Sequence, residues 1–193
     1  MKKITLIILI VSLTSCRTMV KMIANIEDPK VEKKEDIVSY MEDYEVNSNY
    51  TYALKDAQEF VDVLGEIQKL PNFLFYNSEG TLLNPENKNK CISDVGNFIK
   101  TLDSLDMKNP VEKNKFNMEY VTSRMVDLDG NPVELEENKY YMIGFWAKFM
   151  GKNCIKKVKS YVDEAEKRDD ITIVLVSFDP QEYWEQEYEF ELN

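Results

Sequence analysis

Apolar positions along this chain change period several times, and each change marks a boundary. Ile4 to Leu13 form one continuous apolar stretch behind Lys2 and Lys3. It is too short for a bilayer-spanning helix, which needs about 20 residues. Its layout of basic start, apolar centre and small-residue end is that of a secretory signal over residues 1–15. Residues 17–36 read as a tether, because the run from Pro29 to Asp36 is charged and offers nothing to bury. Met19, Val20, Met22, Ile23 and Ile26 interrupt it with an apolar face that suits a membrane surface or a dock on the domain equally well. Ile37, Tyr40, Met41 and Tyr44 predict a short helix.

From residue 50 onward the pattern strengthens. Ala53, Ala57, Phe60, Val61, Leu64 and Ile67 share one helical face and predict an amphipathic helix over 52–69, stopped by Pro71. Residues 72–76 and 81–83 predict a hairpin around Asn77-Ser78-Glu79-Gly80, followed by a polar loop over 84–90. Val95, Phe98, Ile99, Leu102 and Leu105 predict a helix over 94–105, with Ser93 or Asp94 placed to cap it. Residues 107–116, with Pro110 among charged neighbours, predict a linker.

After the linker, Val121 to Leu135 reads as two strands around Asp129-Gly130. Asp127 and Asp129 lack the third acidic position and the distal glutamate of a calcium loop, so a turn is expected there. Tyr140 to Ala147 and Ile171 to Phe178 are near-continuous apolar runs, the pattern of strands buried on both faces. Between them lies a helix whose apolar face is Cys154, Ile155, Val158, Tyr161, Val162 and Ala165. Strand, crossover helix and strand make a parallel unit, so the expected fold class is α/β. The tail from Glu182 to Glu191 reads as a solvated acidic face, or as an added edge strand where it alternates with Tyr188 and Phe190.

Composition narrows the function. With 193 residues, one domain is the expectation. Acidic residues number 35 against 24 basic, and the net charge of -11 argues against a nucleic-acid partner, whose phosphates need clustered cations. The chain contains no histidine, which removes Ser-His-Asp and Cys-His catalysis and every zinc site built on imidazole. No metal and no cofactor is expected. Three cysteines remain: Cys16, Cys91 and Cys154.

Leu13-Thr14-Ser15-Cys16, at the end of the apolar stretch, resembles the lipobox of bacterial lipoproteins. The resemblance implies that Cys16 becomes the acylated first residue of a membrane-anchored protein in the cell envelope, outside the cytoplasm, where disulfides persist. Arg17 stands where the resemblance would put aspartate for inner-membrane retention, so the outer membrane is the expected destination.

A second resemblance rests on Phe145-Trp146-Ala147 at the end of a strand, followed by Gly151 and Cys154 entering a helix. It looks like the start of a thioredoxin active site. Residues 125–135 resemble the leading hairpin of the membrane-anchored thiol-disulfide oxidoreductase branch, and Val176-Ser177-Phe178-Asp179-Pro180 its next strand. The helix, cis-proline hairpin and last helix that such a domain still needs are absent after Asn193, and residues 65–83 and 94–105 resemble them instead. The expected architecture is therefore a circularly permuted thioredoxin-like domain over 50–193. Residues 50–106 would supply the C-terminal half of the fold and 117–193 the N-terminal half. A domain-swapped dimer with the same contacts competes with it.

The chemistry departs from the family. Met150 and Gly151 occupy the positions where the nucleophilic cysteine would stand in either register, so no Cys-x-x-Cys pair exists and dithiol exchange cannot run. Cys154 reads as an inert core thiol or as a redox thiol. The resemblance places Cys91, in the loop before the last helix, beside it, and permits a disulfide if the Cα atoms lie about 4.4–6.8 Å apart. Pro71 reads from the residues as a helix stop; the resemblance implies a cis-proline presenting Leu70 to a substrate peptide, near Trp146. The aromatic residues Tyr140, Tyr141, Phe145, Trp146, Tyr183 and Trp184 read as core. Three functions follow: a non-enzymatic module binding an envelope protein or peptide, an atypical thiol-disulfide protein using Cys154 with Cys91, and a structural lipoprotein.

Overall fold

Among the described residues the chain runs through α1 (Lys34–Asp43), β1 (Thr51–Leu54), α2 (Ala57–Ile67), β2 (Asn72–Asn77) and α3 (Val95–Asp106). It continues through α4 (Met118–Thr122), β3 (Met125–Val126), β4 (Tyr140–Trp146), α5 (Lys152–Ala165) and β5 (Ile171–Ser177). The structure is a computed structural model that describes residues 26–67, 69–83, 94–106 and 117–184. The signal stretch with Cys16, the loop carrying Cys91, the linker over 107–116 and the tail beyond Trp184 lie outside the described residues. No helix among the described residues is long and apolar enough to cross a membrane.

One open, mixed sheet has the strand order β2-β4-β5-β1-β3. The three middle strands β4, β5 and β1 run parallel to one another, and β2 and β3 pair antiparallel at the two edges. Period-2 alternation then divides the core. Tyr140, Met142 and Trp146 face α1, α3 and α5, together with Phe73, Phe75 and Leu175. Tyr141, Ile143 and Phe145 face α2 and Val121 of α4, together with Leu74, Val174 and Val176. The fold is α/β, with helices packed on both faces of the sheet, as the two doubly apolar strands require.

Gly144 shows how closely the strands pack. A Cβ there would lie 2.6 Å from Phe73 Cε1 and 3.0 Å from Leu175 Cδ2. Phe73, its cross-strand partner, stacks on Tyr161 of α5 with ring centroids 3.7 Å apart. The predicted apolar face of α5 is the buried one, from Cys154 to Ala165.

Three expectations need correction. The helix expected over 52–69 is a strand followed by a shorter helix, because Asp56 caps α2 by accepting the Glu59 N–H at 2.9 Å, and Thr51-Tyr52-Ala53-Leu54 pair with β5. Val63 rather than Val61 joins the buried face, and Val61 is exposed. Val121 to Leu135 is not a pair of strands: Val121 sits in α4, and only Met125–Val126, with a bridge from Val126 to Pro132, keeps the hairpin. Asn117 starts α4 by accepting the Tyr120 N–H at 2.8 Å. The charged run from Pro29 to Asp36 does not trail away as a tether, because Glu32 is buried at the sheet end and α1 begins at Lys34, docking Ile37 and Met41 into the core.

The hairpin after Pro71 is formed as expected. Tyr76 bridges to Leu82, and Asn77 Oδ1 accepts from the Glu79 and Thr81 N–H groups across the turn. The turn after Val126 is likewise held by a side chain, with Asp127 Oδ1 accepting from the Asp129 and Asn131 N–H groups. The turn expected at Asp129-Gly130 is formed in this way.

Candidate functional site

In open α/β sheets, ligands are met at the carboxyl ends of the parallel strands. Here β4 and β5 end side by side, joined by the Phe178 N–H donating to Trp146 O at 2.7 Å. Beyond Trp146 the chain makes a 3-10 turn over Lys148–Met150 and enters α5 through Gly151, whose φ of 74° suits glycine.

Asp179, two residues past β5, organises this end and is 1% exposed. Its carboxylate accepts from the Lys148 N–H at 3.0 and 2.8 Å, the Phe149 N–H at 3.3 Å and Ser177 Oγ at 2.8 Å. Burial pushes its pKa up from 3.8 to about 6, against the pull of those donors, with the Glu32 carboxylate adding repulsion. Glu32 is 3% exposed and accepts from Lys148 Nζ at 2.7 Å. Lys148 Nζ also stands 5.9 Å from the centre of the Tyr40 ring, and that ring stacks on Trp146 at 6.2 Å. Burial raises the Tyr40 hydroxyl above its usual range, reinforced by Tyr44, Cys154 and Asp179.

Several predicted residues meet at this end. Asn72 pairs with Phe145, which brings Pro71, after a cis Leu70–Pro71 bond, alongside Trp146. Leu70, Phe149 and Met150 are half-buried against the core on the α2 side. Trp146 is fully buried, with no hydrogen-bond partner for Nε1 among the described residues. Cys154 lies in the first turn of α5 on the core-facing side, 3% exposed. Cys91 and Cys16 fall outside the described residues.

Glu32 and Lys148 escaped the sequence reading, which gave Tyr40 as a helix position and not as part of a site. Glu32 sits in a Lys/Glu run with nothing to set it apart, whereas Asp179 carried a usable signal as an acid directly after a doubly apolar strand. A cavity of about 280 Å³ opens beside Glu32, lined also by Asp129, Gln181 and Tyr183. A larger one of about 500 Å³ lies at the opposite end of β5, between Tyr52, Glu136, Glu166 and Arg168. No metal-binding group of three or more acidic or cysteine side chains occurs among the described residues. No family model matches the chain, and neither a curated protein nor a solved structure matches it.

Proposed function

We propose that this chain is a lipid-anchored protein of the bacterial envelope whose domain is a circularly permuted thioredoxin-like fold, serving as a non-enzymatic protein- or peptide-binding module. The observation that carries the reading is the site at the ends of β4 and β5. Met150 and Gly151 precede α5, Cys154 turns into the core, and this sheet end is built around the buried Asp179 and Lys148 instead of a thiolate. Support for the permutation comes from the sheet. The strand–helix–strand unit β4-α5-β5 is parallel, the hairpin strand β2 behind Pro71 lies antiparallel beside β4, and α3 packs on the same face as α5. A hairpin on a separate sheet would have argued against it.

The anchor part of the reading rests on the Leu13-Thr14-Ser15-Cys16 sequence. Metabolic labelling with a fatty acid should mark the wild-type protein and leave Cys16→Ser unlabelled. For the module, crosslinking in the envelope should capture a partner equally well with wild type and Cys154→Ser, and neither should reduce insulin. Insulin reduction that disappears in Cys154→Ser would replace the module by the redox reading, with Cys91 as the second thiol.

A further inference from the structure

Residues 27–32 lie across the ends of β4 and β5. The Glu27 N–H donates to Phe149 O and the Glu32 N–H to Pro180 O, both at 2.8 Å, and Glu32 pairs in parallel with Gln181. This is how an extended peptide is held on a sheet end: the main chain supplies attachment and selected side chains supply specificity. One side chain does so here. The Glu32 carboxylate is buried on Lys148, with the largely exposed Lys30 3.8 Å from its other oxygen, whereas the neighbouring Val31 is 64% exposed and Lys33 pairs at the surface with Glu182. Main-chain bonds at both ends and the buried Glu32 carboxylate thus take part in attaching the segment.

The surface beneath it is built by other residues. Asp179 fixes the Lys148 and Phe149 N–H groups, and Gln181 Nε2 donates back to Asp179 O at 2.5 Å, so the acceptors on Phe149 and Pro180 are held in place by the domain itself. Lys148 sets the chemistry of any replacement. Its side chain is four-fifths buried, and a buried charge stripped of its partner is strongly destabilising. The Asp179 carboxylate is already engaged by main-chain N–H groups and Ser177. A segment that displaces residues 27–32 must therefore bring its own carboxylate.

The geometry points to a seat for an extended peptide carrying a glutamate, at the ends of β4 and β5, which residues 27–32 fill in cis until such a peptide replaces them. This rests on the binding-module reading and gives it a surface and a ligand chemistry.

The test uses the full-length chain and a synthetic peptide of residues 26–33. Hydrogen exchange by mass spectrometry reads the cis segment, and calorimetric titration reads the peptide. Glu32→Ala removes the anchor, and Glu27→Pro removes the N–H that Phe149 O accepts, at an exposed position that leaves the core untouched. In whichever variant folds, exchange across 27–32 rises about tenfold. The peptide then binds about tenfold more tightly than to wild type, because its internal competitor is weakened. The same peptide with Glu32→Gln binds about tenfold more weakly than its parent.

Wild-type exchange rates in both variants overturn the proposal, as does a released segment without peptide binding, or equal binding of the Glu and Gln peptides. Peptide binding with no partner crosslinked in the envelope keeps the seat and sinks the module reading. Partner capture undiminished by excess peptide keeps the module and sinks the seat.

Discussion

The Lys148 backbone N–H donates to both carboxylate oxygens of Asp179, at 3.0 Å to Oδ1 and 2.8 Å to Oδ2. This ties the turn after β4 to the turn after β5 and makes a buried acid the pivot of the site. The arrangement carries a pH signature. The folded-state pKa of Asp179 is raised from 3.8 to about 6 by burial, so the folded protein holds that proton more tightly than the unfolded chain. Its stabilising contribution is complete below pH 3.8 and is lost as pH rises through about 6. Urea denaturation of wild type and Asp179→Asn across this range should give a stability difference that shifts in favour of Asn as pH rises, by on the order of 3 kcal/mol. A pH-independent difference would show that Asp179 titrates normally.

At the other end of the sheet the sign reverses. Asp103 of α3 is held at about 2 by its hydrogen bond to Lys139, with further pull from Tyr140 and Arg168. A depressed acid stabilises above its unfolded pKa, and the contribution disappears as pH falls from 3.8 through about 2. Asp103 is half exposed, so Asp103→Asn should cost less than about 1 kcal/mol at neutral pH. The cost should vanish in acid. Thermal melts at the two pH values decide it.

Gly144→Ala should destabilise by about 1–3 kcal/mol, because the new methyl meets the Phe73 ring and that ring is pinned on Tyr161. A melt of Gly144→Ala beside the double variant with Phe73→Leu checks the cause. The smaller side chain at residue 73 should lower the cost of the alanine to what the Leu175 contact leaves, and equal costs in both backgrounds would refute the clash with Phe73.

Cys154 offers a test of burial. With reductant present, its alkylation in the native protein should run at the rate of local opening, far below that of the unfolded chain. Cys154→Ser should cost about 1–3 kcal/mol, since it places a hydroxyl among Ile155, Val158 and the sheet. Fast native alkylation would return Cys154 to the surface.

Much of the fold was legible because period reports burial directly. β4 and β5 read as doubly buried strands since helices cover both of their faces, and α5 showed its buried side residue by residue. Errors fell where one local signal served two structures. Ala53 fits the helical face of α2 by spacing, yet pairing with β5 and the Asp56 cap hold it in a strand, since a four-residue strand has too few alternations to show its own period.

By itself, then, the amino-acid sequence determined the α/β class, the buried face of α5 and the absence of a Cys-x-x-Cys pair at its start, all consequences of residue type and local spacing. Tertiary structure alone decided the site. Glu32 meets Lys148 from 116 residues away, and Asp179 reaches it from 31. A carboxylate in a charged run becomes a buried anchor only when the chain returns to cover it, and no local pattern encodes that return.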